Sequence, residues 1–123
     1  ENKKIYISGS GADEIFSDYG WNGNTVAPHS NFGGLFPETL ESIFPWGSFY
    51  GSSQITYLTK EEMVGGSYGI ECRYPFLDRF VVQEFLWLTA ELKNKFYKNV
   101  LHNYMIENNF PYSIEKKGFW YKD

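Results

Sequence analysis

The 123-residue chain has one cysteine, Cys72, and two histidines, His29 and His102. A single thiol excludes an internal disulfide and suits a reducing compartment. So few soft ligands argue against a zinc site of the usual kind, and Cys72 reads as a small buried side chain rather than a nucleophile. No apolar run approaches the roughly 18 residues a membrane-spanning helix needs. Basic excess is absent as well. The net charge is −4 and no block of like charges occurs, which gives no electrostatic case for nucleic acid or an anionic membrane. Internal repeats and low-complexity segments are missing. The chain opens on Glu1-Asn2-Lys3-Lys4, with neither initiator methionine nor signal peptide, directly ahead of a strand-like run. The expectation is therefore a portion of a longer protein.

What the chain does have is core-forming material: 42% hydrophobic and 20% aromatic residues, enough for a packed domain. The informative stretch runs from Lys3 to Phe16. Ile5, Tyr6 and Ile7 are strand-prone, Ser8-Gly9-Ser10-Gly11 is a bend, and Ala12 to Phe16 reads as the first turns of a helix. Strand, glycine bend and helix start form a backbone cradle that lets main-chain amides approach an anion. Asp13 and Glu14 fall in the first helical turn, where the dipole favours carboxylates and a carboxylate can hold magnesium. On local physics alone a tight turn with Asp13 stabilising the helix is the better account of the stretch. It is not a Walker loop, because no Gly-Lys-Ser/Thr follows, nor a Rossmann fingerprint, because the third glycine is missing.

In order, the sequence predicts a strand over residues 4–8 and a short helix over 12–17. An aperiodic loop containing His29 follows from 20 to 36. Pro37 to Phe44 suits a short helix ended by Pro45, and Trp46 to Tyr50 is an aromatic packing segment. Thr59-Lys60-Glu61-Glu62 is a capping-box pattern, so a helix is expected from Thr59 through Met63, broken at Gly65-Gly66. Gly69 to Asp78 should be extended, Asp78 should cap a helix over 79–88, and another helix should cover 95–107. One strand among mostly helices predicts an incomplete α/β domain whose remaining parallel strands lie upstream.

Three segments carry a family resemblance. Ser8-Gly9-Ser10-Gly11-Ala12-Asp13-Glu14-Ile15-Phe16 resembles the second nucleotide-site motif of the asparagine synthetase family. Gly69-Ile70-Glu71-Cys72-Arg73-Tyr74-Pro75-Phe76-Leu77-Asp78 resembles its Gly-hydrophobic-Glu-x-Arg-x-Pro-Phe-Leu-Asp signature, and Lys116-Lys117-Gly118-Phe119 its Lys-x-Gly-Phe segment. They occur in the family's order. The resemblance implies the C-terminal part of an α/β synthetase domain of the PP-loop, adenine-nucleotide α-hydrolase-like kind, mostly helical with one or few parallel strands. It implies a cytoplasmic, glutamine-hydrolysing ligase that activates an aspartate-like carboxylic acid with ATP and Mg2+ through an acyl-adenylate, which an amine then attacks. By the same resemblance Ser8, Gly9 and Gly11 contact ATP, Asp13 holds magnesium, and Lys116 stabilises charge on the transferring phosphates as the catalytic lysine. Arg73 and Asp78 would form a structural ion pair beside the site, with Glu71 as the other candidate partner for the arginine. The partners implied are the rest of the synthetase and a glutaminase domain, with neither nucleic acid nor membrane.

The chain also departs from the family. Ser10 stands where asparagine synthetases often carry an acid, and a hydroxyl is no carboxylate base. Ser17-Asp18-Tyr19 replaces Gly-Gly-Tyr. Lys98 matches a helix lysine, but His102 replaces an arginine. The first nucleotide motif, Ser-Gly-Gly-x-Asp-Ser, is absent. Two other readings stay open: a lactam- or macrolactam-forming cyclase on the same scaffold, favoured by Ser10, and a degenerate, non-catalytic interaction domain.

Overall fold

Ile5, Tyr6 and Ile7 do form a strand, β1 (Lys4–Ile7), in a computed structural model that describes residues 4–113. Lys116, Lys117, Gly118 and Phe119 lie outside the described residues. The chain turns into α1 (Ala12–Phe16), then a two-residue hairpin of β2 (Gly20–Trp21) and β3 (Asn24–Thr25). Asn22 and Gly23 both take positive φ there, the geometry an Asn-Gly hairpin turn requires. After a single 3-10 turn over Leu40–Ser42 come α2 (Gly47–Tyr50), α3 (Ser52–Ser67), β4 (Ile70–Arg73), a second 3-10 turn over Pro75–Leu77, α4 (Arg79–Trp87), α5 (Ala90–Asn94) and α6 (Asn99–Glu107). The protein is a mixed α/β fold, about half helical, with a two-stranded parallel sheet. No helix among the described residues is long and apolar enough to cross a membrane.

The expected lone strand has a partner. β4 pairs with β1 in parallel, from Lys4 opposite Ile70 to Ile7 opposite Arg73, and Ser8 N–H extends the ladder to the Arg73 carbonyl at 2.8 Å. The intervening helices make the long crossover that parallel pairing needs. The period-2 geometry sends Tyr6, Ile70 and Cys72 to one face and Ile5, Ile7, Glu71 and Arg73 to the other. Ile5 and Ile7 remain 59% and 69% exposed.

The helix expected to start at Thr59 starts seven residues earlier and runs sixteen residues through both glycines. Its first half buries Ser53 and Gln54, so the apolar period that would have revealed it is missing. Gly65 does not break the helix because packing needs it: a Cβ there would stand 2.6 Å from Cys72 Sγ. Close approach of α3 to β4 thus outweighs glycine's low helix propensity, about 1 kcal/mol.

Two further expectations shift. The helix predicted over 37–44 is reduced to the 3-10 turn, and the one predicted over 95–107 begins only at Asn99, after Lys98, whose φ is 50°, while α5 lies ahead of the expected range. The left-handed backbone cannot propagate a right-handed helix. The helix after Asp78 matches its expected bounds to one residue. Its cap is the one foreseen, Asp78 Oδ1 accepting from Phe80 N–H at 2.9 Å and Val81 N–H at 3.3 Å.

The core gathers Ala12, Ile15 and Phe16 of α1 with Phe36, Trp46 and Phe85. Its rings meet edge to face, Phe16 on Phe85 at 4.8 Å and Phe36 on Trp46 at 5.7 Å between centroids, the arrangement ring quadrupoles favour. Trp46 Nε1 donates to the Glu14 carbonyl at 2.8 Å, so the aromatic segment clamps α1 in place. Lys93 is buried and closes the end of α4, its ammonium donating to the carbonyls of Leu86, at 2.9 Å, and Leu88. Burial lowers its pKa below the ordinary lysine value.

Candidate functional site

The bend Ser8–Gly11 sits past the C-terminal end of β1, beside the C-terminal end of β4. In open parallel sheets ligands gather at that end of the strands. Ser8 is buried and ties the two strands through its backbone N–H. Gly9 is exposed, and a Cβ placed on it would meet nothing within 4 Å. Gly11 has φ 98°, and a Cβ there would collide with the Leu77 side chain. Its glycine is thus fully explained by the approach of the Pro75–Leu77 turn.

The bend presents fewer amides outward than its sequence suggests. Ser10 N–H donates to Ser8 Oγ at 3.0 Å and Gly11 N–H to Glu14 Oε2 at 3.1 Å. The five-residue α1 is also short for a strong helix dipole. The exposed Gly9 backbone is the part of the bend left open to a ligand, since Ser8 is buried and the Ser10 hydroxyl donates to Glu61. Glu14 is consumed structurally: its other oxygen accepts from the Tyr19 hydroxyl. Burial, then the Glu14 side chain, raise the Tyr19 pKa above the usual phenol value.

Asp13 faces away from the core. Its Oδ1 accepts from the Tyr97 hydroxyl at 2.8 Å and pairs with Lys98 Nζ at 2.8 Å. Among the described residues no group of three or more His, Cys, Asp or Glu side chains could hold a metal. A single carboxylate fits magnesium that arrives with phosphate oxygens, as magnesium commonly does; it does not make a stand-alone cation site.

Ser10, the residue in the acid's place, is not remote from a carboxylate. Its hydroxyl donates to Glu61 Oε1 of α3 at 2.6 Å. Glu61 Oε2 is buried and has no hydrogen-bond donor among the described residues. In the sequence Glu61 is only an interior position of the Thr59–Glu62 capping-box pattern. Its contact with Ser10 crosses 51 positions and leaves no local signal. Tyr97 carried none either.

Glu71 and Arg73 pair with each other on the open face of β4, both largely exposed. The alternative partner for the arginine is therefore the one formed, and Asp78 is occupied by its helix cap. Burial, then the Glu62 side chain, push the Tyr74 phenol above its usual range. The fold brings together Ser8, Gly9, Gly11, Asp13, Arg73 and Leu77; the Lys116 assignment lies outside the described residues.

Asp18 is the middle residue of the Ser17-Asp18-Tyr19 segment that departs from Gly-Gly-Tyr. It is fully buried, and its carboxylate accepts from Ser48 Oγ at 2.7 Å, Ser30 Oγ at 3.1 Å, Asn31 N–H at 2.8 Å and Phe32 N–H at 2.9 Å. The aperiodic loop is pinned by this one side chain. Its φ of 43° explains why a glycine would also suit the position, aspartate being among the few side chains that tolerate it.

Comparison of the chain with protein-family models, with curated proteins and with solved structures finds no match.

Proposed function

We propose that this chain supplies part of the nucleotide and magnesium site of an ATP-dependent carbon–nitrogen ligase of the glutamine-hydrolysing asparagine synthetase type, on a PP-loop-like scaffold. One observation carries the reading. Two motif-like segments far apart in sequence meet at one place, Ser8 bonding to Arg73 and Gly11 seating Leu77, at the end of a parallel strand pair where ligands gather.

In this reading the bend Ser8–Gly11 receives the nucleotide, chiefly through the exposed Gly9 backbone. Asp13 orients magnesium, which supplies charge neutralisation for the departing pyrophosphate. Lys98, already on Asp13, adds a second positive charge beside the phosphates. Arg73 and Glu71 act structurally. Lys116 is the catalytic lysine, and the acid is aspartate-like. The glutaminase, and the loop corresponding to Ser-Gly-Gly-x-Asp-Ser, come from other parts of the enzyme, which works in the cytoplasm.

Titration calorimetry of the 1–123 chain with ATP tests the reading. Heat that requires magnesium and is lost in Asp13→Asn supports it; heat unchanged in Asp13→Asn, or absent, contradicts it. With aspartate as acceptor, this chain by itself is expected to release no pyrophosphate, because half of the phosphate site is missing.

The exposed Ile5 and Ile7 favour a second reading, a non-catalytic domain that associates through its sheet. Magnesium-independent self-association with no ATP heat would point there.

A further inference from the structure

Two adjacent residues, Tyr97 and Lys98, reach the same oxygen of Asp13. The Tyr97 hydroxyl donates to Oδ1 at 2.8 Å, and Lys98 Nζ pairs with that atom at 2.8 Å. The two donors differ in kind. Lys98 sets a positive charge against the carboxylate, so a second cation has to share that charge with it. The phenol is neutral and fixes the direction of the carboxylate without opposing its charge.

Tyr97 is held in a way that suits this task. It is half-buried in the turn between α5 and α6. Ahead of the turn, Asn94 clamps α5 to the core by exchanging two hydrogen bonds with the Phe36 backbone, at 2.9 and 2.8 Å. Behind it, the buried Asn99 donates from its side chain to the Leu92 carbonyl at 2.8 Å. The turn is fixed on both sides, which makes its phenol a preorganised donor. On α1, the buried Ser17 hydroxyl donates to the Asp13 carbonyl at 3.0 Å and lies 3.5 Å from the Tyr97 oxygen. A glycine at position 17 could make neither contact.

We infer that Tyr97 is a positioning residue for the metal ligand. It holds Asp13 in the orientation that receives magnesium, while Lys98 acts on the nucleotide through its charge. The inference rests on the proposed reading of Asp13 as the magnesium carboxylate; the support of Asp13 by Tyr97 is in the geometry itself. Carboxylates that bind metals are oriented by such outer partners, whose loss weakens the metal by about tenfold to a hundredfold.

Calorimetric titration of the chain with ATP, once with magnesium and once with EDTA, reads the affinity gained from magnesium separately from the affinity for the nucleotide. Tyr97→Phe removes one oxygen. It should shrink the magnesium gain by roughly tenfold or more and leave the affinity in EDTA unchanged. Placing 4-aminophenylalanine at position 97 returns a donor and should restore most of the gain. Lys98→Met should do the opposite, lowering the affinity in EDTA and keeping the gain. A gain in Tyr97→Phe equal to that of the wild type, where Asp13→Asn loses it, overturns the positioning role and leaves the ligase reading standing. Equal losses in magnesium and in EDTA make Tyr97 merely structural and also overturn it. A wild type with no gain overturns both. Manganese and ATP added to the 15N-labelled wild type give a second measurement that needs no variant. Paramagnetic broadening should reach the amides of Asp13, Tyr97 and Lys98 together, and broadening at Asp13 that leaves Tyr97 sharp overturns the proposal.

Discussion

Lys98 Nζ lies 2.8 Å from Asp13 Oδ1, joining the start of α6 to the first turn of α1 across most of the described chain. Lys98 holds a left-handed backbone, φ 50°, to do so. A partly exposed pair of this kind is worth roughly 0.2–1 kcal/mol, while the left-handed conformation costs a residue with a Cβ roughly 1–2 kcal/mol. Lys98→Gly and Lys98→Ala both lose the pair, but only glycine relieves the backbone. Urea denaturation should find Lys98→Gly more stable than Lys98→Ala by about 1 kcal/mol. Equal stabilities would mean that the junction relaxes in another way.

The Asp18 carboxylate organises the loop over residues 20–36 by accepting three hydrogen bonds from Ser30, Asn31 and Phe32, and ties it to α2 through a fourth from Ser48. Asp18→Ala leaves those donors without their acceptor, and each buried orphan costs about 1–3 kcal/mol. A loss of at least about 3 kcal/mol is expected by denaturation. Hydrogen exchange should show the amides of Asn31 and Phe32 opening first. A loss below about 1 kcal/mol, with those amides still protected, would count against the pinning role.

Tyr19 sets an alkaline limit. Its phenol is buried and donates to Glu14, so its folded pKa lies above the ordinary value. The folded state therefore keeps a proton that the unfolded chain gives up above about pH 10. The resulting stabilisation is complete below that pH and is lost as pH rises toward the higher folded value. Tyr19→Phe should flatten the fall in stability above about pH 10. An alkaline slope as steep as that of the wild type would remove Tyr19 as its source.

Gly65 and Cys72 make a closed pair. Gly65→Ala gains helix propensity of about 1 kcal/mol, yet its Cβ would stand 2.6 Å from Cys72 Sγ. The substitution should destabilise the wild type, and Cys72→Ala should remove that penalty. In a double-mutant cycle the coupling should reach about 1 kcal/mol or more. Additive effects would show that α3 and β4 are less closely packed.

The sequence made some of this fold legible and hid the rest. The strand–bend–helix at residues 4–16 and the Asp78-capped helix were readable because each has a local cause: β-prone residues before glycines, and an N-cap before an apolar stripe. β4 was seen only as an extended segment, since its partner is fixed by a crossover of more than 60 positions. The first half of α3 was invisible because it buries Ser53 and Gln54 instead of an apolar face. Lys98 delays the start of the last helix to Asn99 through a backbone angle no residue pattern announces. At the candidate site the positions of Ser8, Gly9 and Asp13 were readable from the bend. Glu61 and Tyr97 were not, because each reaches its partner only through tertiary packing.

The central claim is that the bend with Asp13 receives magnesium-bound ATP. Amide chemical-shift mapping of the 15N-labelled chain tests it most directly. Magnesium and ATP together should shift Ser8, Gly9, Ser10 and Asp13, and Asp13→Asn should abolish the magnesium dependence. Signals at the bend that stay fixed while shifts appear elsewhere, or nowhere, would contradict the account.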